Sequence, residues 1–319
     1  MEESNFSKYQ KAPYLELDNY KAPKDINSYF VTMDDGMKIR VCHWLKNSKK
    51  AKGTVLLQQG HNEFIEKYFE TIQELIDRNY CVISFDWRGQ GMSDRVIENL
   101  NKQFIPDFKI HCMDLSHIIS TIINDNFPGP LIGIGHSMGG HLLLLSQEQN
   151  QERFKSIILS APMLGFKYEK ILFFLFKIIK IFAKNDAYFL LSKPNMGKET
   201  PFRQNDLTSD SFRYKRTQSL VRKKPSIRLW GVTNAWVNAA RNSLLKIRKK
   251  KWYTKIKTKI CIINPLDDRV VNPKENQKMA KKLTNCKIID IKKCEHEILM
   301  EKDFLRSYFW KIFDEFTDE

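Results

Sequence analysis

The sequence predicts an α/β fold: a mostly parallel sheet with helices on both faces, interrupted by a helical insertion. Three observations carry this expectation. Short apolar runs such as TVLLQ, SIILS and ICIIN lack the alternation of half-exposed strands and read as strands covered on both faces. Helix-length stretches separate those runs, the order that builds parallel strands. The rhythm stops between about 164 and 255, where no convincing strand occurs.

The elements follow in chain order. Residues 1–28 are polar and lack the apolar centre of an export signal; they read as a poorly ordered arm leading to a short edge element. Strands are expected at 38–44, 54–59, 81–85, 131–135 and 156–160, then at 259–264 and 287–291. Helices are expected near 66–78, 113–124, 138–149, 273–283 and 299–316. The core is therefore 29–163 joined to 256–319, and 164–255 forms a helical cap over it.

Composition sets the limits. Of 319 residues, 42% are hydrophobic and 12% aromatic, enough for a large core and too many for a disordered chain. No apolar run reaches the ~18–20 residues that cross a bilayer. The six cysteines show no C-x-x-C and no metal-ligand spacing, which points to buried free thiols in a reduced, cytoplasmic compartment.

The net charge of +16 is regional. Residues 161–260 hold 24 lysines and arginines against five acidic residues, whereas the remainder is slightly acidic. Drift in base composition would enrich the whole chain, so an anionic partner is the sharper reading. An anionic membrane surface fits better than nucleic acid, because no RNA-binding signature or zinc spacing accompanies the charge. Within that stretch Lys170, Lys177, Lys180 and Lys184 fall inside about 80° of a helix otherwise made of Ile, Leu and Phe. Two readings stay open: a helix lying in the membrane interface, or one packed on its own domain with lysines facing water.

The chemistry follows the strands. After 131–135 comes Gly135-His136-Ser137-Met138-Gly139-Gly140, a G-x-S-x-G turn between strand and helix. A serine nucleophile there needs small neighbours, and the helix N-terminus offers N–H groups to a developing oxyanion. Serine also needs a base, and the base an orienting acid. Downstream of that turn and its helix the only histidine is His296, in a loop after the last strand. Two adjacent carboxylates compete for the acid. Asp268, directly before Arg-Val-Val, is preferred, and Asp267 is left to orient the loop or face solvent. The loop Gln59-Gly60-His61-Asn62-Glu63 is placed to lend a second oxyanion N–H, by position that of His61, beside that of Met138. Asp86-Trp87-Arg88-Gly89-Gln90-Gly91 reads as a tight turn shaping the floor of the site. His43, His111, His117, His136 and His141 show no ligand-like grouping, so neither a metal nor a cofactor is expected.

Together QGHNE, FDWRGQGMSD, GHSMGGH, DDRVV and CEHEILMEKD resemble the α/β-hydrolase superfamily, specifically its lysophospholipase and monoacylglycerol lipase family and most closely the bacterial lysophospholipase branch. The resemblance spans roughly 30–316 and includes cap segments 205–216 and 227–236. It implies Ser137 as nucleophile, Asp268 as acid, His296 as base, and the N–H groups of His61 and Met138 as oxyanion donors. One departure is Gln59-Gly60 where many relatives have His-Gly. The expected function is a cofactor-independent serine esterase. Lysophospholipids are its first substrate class, with monoacylglycerol lipase or general carboxylesterase activity as the alternative. Transfer of the acyl group to an acceptor other than water stays open. From another class, an idle hydrolase scaffold binding a membrane surface is the rival. Peripheral attachment to the inner face of the membrane accompanies the cytoplasmic expectation, and the sequence carries no sign of oligomeric state.

Overall fold

A computed structural model describes residues 6–45, 50–190, 194 and 196–318, with the side chains of Lys170 and 177–182 excepted. The main sheet has nine strands. Three are antiparallel at one edge: β1 (Gln10–Lys11), β2 (Asn27–Thr32) and β3 (Lys38–Trp44). The others are β4 (Thr54–Gln58), β5 (Cys81–Phe85), β7 (Leu131–His136), β8 (Ser156–Ser160), β10 (Lys259–Pro265) and β11 (Cys286–Ile291), all parallel to their neighbours within this set. The strand order is β1-β2-β3-β5-β4-β7-β8-β10-β11. The chain thus turns both ways from β4, with β5 on one side and β7 on the other. Loops leaving the carboxyl ends of β4 and β7 open into one crevice, where open α/β sheets place their ligands.

Every residue of β4, β5, β7 and β8 is buried, as their unbroken apolar runs require. Helices cover both faces. On one side lie α2 (Phe108–Ile118), which continues through a π-turn at Ile119–Ile123 into α3 (Asn124–Asn126), and α4 (Ser137–Asn150). On the other lie α1 (Phe69–Asp77) and α10 (Asp303–Asp318), whose Phe309 and Phe313 pack with Ile72 and Leu75. Removing a buried side chain of this kind to alanine costs about 2–5 kcal/mol.

The N-terminal segment differs from the expected loose arm. Gln10–Lys11 pair with Tyr29 and Phe30, and Phe6 is buried against the rings of Tyr29 and His43. Aromatic anchoring, invisible as a period, fixes it. The insertion between β8 and β10 carries α5 (Glu169–Phe182), α6 (Ser211–Lys223), α7 (Asn234–Ile247) and α8 (Lys250–Tyr253), and α9 (Pro273–Ala280) follows β10. It is not free of strands. β9 (Gly231–Val232) pairs in parallel with β6 (Lys102–Gln103), a ladder too short to leave a pattern in sequence. Side-chain caps start α6 and α7: Asp210 accepts from the Arg213 N–H at 2.8 Å, and Thr233 from that of Trp236 at 3.4 Å. Three of the four stripe lysines, Lys170, Lys177 and Lys180, have side chains outside the described residues; Lys184 lies beyond α5 and is exposed. No helix among the described residues is long and apolar enough to cross a membrane.

Candidate active site

Ser137 sits where β7 ends and α4 begins, with φ of 50°. That left-handed turn is held by close packing. A Cβ added at Gly135 would lie 2.7 Å from the Gly140 backbone, and one at Gly139 would lie 2.4 Å from the Gln59 carbonyl oxygen. Both glycines of G-x-S-x-G are therefore demanded by neighbouring backbone, one within the turn and one against the end of β4.

The loops after β10 and β11 converge on this serine. His296 Nε2 lies 3.0 Å from Ser137 Oγ, and His296 Nδ1 lies 2.6 Å from Asp268 Oδ2. Asp268 Oδ1 accepts the N–H groups of Val270 at 2.7 Å and Val271 at 2.9 Å, which fixes the carboxylate plane. All three side chains are buried. Asp267 is exposed, so of the two carboxylates Asp268 is the one on the histidine. His141, also downstream of Ser137, faces Ser243 Oγ at 2.8 Å instead.

Met138 lies in the first turn of α4, where a helix leaves its N–H groups without intrahelical partners. His61 lines the same cavity as Ser137 and His296. Its ring packs on Trp236 of α7 at 5.1 Å, and burial holds its pKa down to about 4. The FDWRGQGMSD loop supports the His61 loop directly. Trp87 Nε1 donates to the Gln59 carbonyl at 2.9 Å, and the Gln90 side chain accepts from the Asn62 N–H. The Gln59 side chain points away, to Ser84 Oγ at 2.9 Å, so the departure from His-Gly leaves the cavity wall untouched.

Beside the site lies a buried ionic cluster that the sequence reading missed. Glu63, His136 and Glu297 bring ligand-type atoms within 4.8 Å of one another, so His136 does have a ligand-like grouping. Lys67 fills it: its ammonium lies 2.6 Å from Glu63 Oε1 and 2.7 Å from Glu297 Oε1. A lysine thus holds the place between the carboxylates that a cation would take. Burial alone would raise the Glu63 pKa, but Lys67, His136 and the Gly60 N–H together outweigh it and bring it down to about 2. Burial outweighs Lys67 at Glu297, whose pKa is raised. Burial keeps His136 near 3, and its ring lies 4.7 Å from that of His296.

Residues 49–303 match the family model described as serine aminopeptidase, S33. The chain belongs to this family. The S33 chain adopts the α/β-hydrolase fold, and similar solved structures include a soluble variant of monoglyceride lipase from Saccharomyces cerevisiae in complex with a substrate analogue. That one is 20% identical, with a TM-score of 0.73, over 95% of this chain and 99% of that one. Among curated proteins, the probable lysophospholipase L2 of Haemophilus influenzae is 24% identical over 88% of this chain and 89% of its own. Monoglyceride lipase of Rattus norvegicus is 25% identical over 59% of this chain and 55% of its own.

Proposed function

We propose that this S33 hydrolase is a carboxylic ester hydrolase that releases fatty acid from lysophospholipids, with monoacylglycerols as the second substrate class. The observation that carries the reading is the Asp268–His296–Ser137 chain of hydrogen bonds at 2.6 and 3.0 Å on a strained strand–helix turn. Ser137 Oγ attacks the ester carbonyl carbon as His296 Nε2 takes its proton. Asp268 holds Nδ1 protonated and stabilises the imidazolium. The carbonyl oxygen gains negative charge and is met by the N–H groups of Met138 and His61. Collapse breaks the ester C–O bond, and His296 returns the proton to the departing glycerol-side oxygen. Water, deprotonated by His296, then cleaves the acyl-enzyme and frees the fatty acid and Ser137.

The substrate class draws on the similarity to lysophospholipases L2 and on the cavity. It encloses about 250 Å³ and mixes polar groups with Phe64, Leu207, Val221 and Val270. Below the ~300–1,000 Å³ of ordinary ligand pockets, it suits a head group, with the acyl chain leaving along the cap. Exposed Tyr168, Ile171 and Phe174 at the start of α5 support attachment of that cap to a lipid surface.

The test is hydrolysis of lysophosphatidylcholine, lysophosphatidylglycerol, monoacylglycerol and a p-nitrophenyl ester, with Ser137→Ala as the blank. Preference for the lysophospholipids is expected. Equal or better rates on monoacylglycerol move the assignment to the second class. Absence of fluorophosphonate labelling at Ser137 would leave the idle-scaffold rival standing.

A further inference from the structure

The cavity wall carries two arginine or lysine cations with opposite circumstances. Lys67 is held between Glu63 and Glu297. Arg228, from the cap, has no carboxylate within 4.0 Å among the described residues; its Nη1 donates to Gln218 Oε1 at 3.1 Å. Gln218 and Thr217 of α6 line the cavity beside it. The backbone beside Arg228 is tied to the sheet's loops. The next residue, Leu229, exchanges two hydrogen bonds with the Asn62 side chain, its N–H donating at 2.6 Å and its carbonyl accepting at 3.0 Å. Asn62 directly follows His61, so the arginine is stitched one residue from the loop proposed to hold the oxyanion.

A guanidinium has five N–H donors in a planar fork that matches phosphate oxygens two at a time. With His61 and His136 held neutral by burial, and Lys67 engaged by both wall carboxylates, Arg228 is the wall cation without a carboxylate partner among the described residues. In a lysophospholipid only the glycerol backbone separates the phosphate from the scissile ester. One cavity must therefore hold both, and this one is lined by Ser137 and by Arg228.

We propose that Arg228, with Gln218 beside it, forms a phosphate-ester subsite that makes the site favour lysophospholipids over neutral monoacylglycerols. This rests on the serine-esterase reading above and specifies what recognises its substrate.

The experiment has two arms on the full chain. In the first, kcat/KM is measured for lysophosphatidylglycerol and for a monoacylglycerol of the same acyl chain. The ratio of the two is expected to fall about tenfold or more in Arg228→Met and to recover in part in Arg228→Lys. In Lys224→Gln, which changes a neighbouring cap lysine off the cavity wall, the ratio stays as in wild type. An unchanged ratio in Arg228→Met, or an equal fall for both substrates, overturns the proposal. In the second arm, glycerol 3-phosphate and inorganic phosphate are titrated calorimetrically into Ser137→Ala, with and without Arg228→Met. Glycerol 3-phosphate binding that needs Arg228 is expected, and this arm judges the subsite even if lysophospholipids are not cleaved and the substrate reading fails. No binding, or binding indifferent to Arg228, overturns the subsite. Equal binding of inorganic phosphate assigns it to free phosphate and overturns the head-group role.

Discussion

Ser137 tolerates its positive φ because backbone surrounds it so closely that Gly135 and Gly139 cannot be exchanged. Gly139→Ala is expected to push the turn off the Gln59 carbonyl, lowering both the unfolding midpoint and the rate of fluorophosphonate labelling. For the base, His296→Ala should lose about 10²–10⁴-fold in kcat while far-ultraviolet circular dichroism stays native; near-wild-type turnover would remove it from the mechanism. The acid offers a sharper contrast. Asp268→Asn should cost a similar factor, because an amide cannot stabilise the imidazolium. Asp267→Asn, exposed next door, should behave as wild type in the same steady-state assay. Ser137, Asp268 and His296, the hydrogen-bonded set proposed to carry the chemistry, could be nominated from sequence because each lies in a short motif just after a strand. Lys67 could not: its partner Glu297 is 230 positions away, and nothing local to either announces the other. Asn62 and Leu229 meet across 167 positions for the same reason.

At the scale of elements, the basic excess of the insertion between β8 and β10 has an explanation the sequence alone does not reach. Part of it is complementary to acids on the core. Arg213 of α6 bonds Glu70 and Asp303, Arg216 bonds Glu70, Lys246 of α7 pairs with Glu148, and Arg248 reaches Glu275. Glu70→Ala removes the shared partner of Arg213 and Arg216. The expected loss is about 1–2 kcal/mol, since the pairs are partly exposed, read as a lower urea midpoint without loss of secondary structure. The remaining charge is real: Lys249, Lys250, Lys251, Lys255 and Lys257 are exposed. If these and the open face of α5 meet a bilayer, co-sedimentation should require anionic lipid and weaken as salt rises through 0.5 M, where the Debye length is only about 4 Å. Salt-independent or absent binding would leave those lysines as a solvated surface.

Across the whole molecule, burial keeps five histidines uncharged: His43, His111, His136 and His141 near 3 and His61 near 4. Unfolded, each takes up a proton near pH 6.5, so below that value the unfolded chain binds more protons than the native one. Stability then falls as the pH drops, by about 1.4 kcal/mol per unit for each fully buried histidine. Glu63 and Glu70, whose folded pKa values lie near 2, add to the loss only below about 4.5. A urea midpoint that declines steeply from pH 7 to 5.5 is therefore expected, and a flat one would mean that these rings find solvent. The parallel core was readable because strands buried on both faces are unbroken apolar words. The edge was not: in β2 the buried Tyr29 and Val31 flank a half-buried Phe30, and the segment before it is fastened by rings whose partners lie elsewhere in the chain.

The stitches between the β8–β10 insertion and the loops at the sheet's carboxyl end bear on how such folds diversify. Leu229 is bound to the loop after β4, and the Leu207 carbonyl accepts the Glu297 N–H at 2.8 Å, next to His296. An insertion transplanted from a relative would replace the side of the cavity that Thr217, Gln218 and Arg228 line. It would also leave these buried groups without partners unless residues equivalent to 207 and 229 came with it. Exchange of specificity by recombination is thus constrained by two backbone contacts, at 207 and 229, that hold whatever the side chain there, and a chimera should be joined outside them.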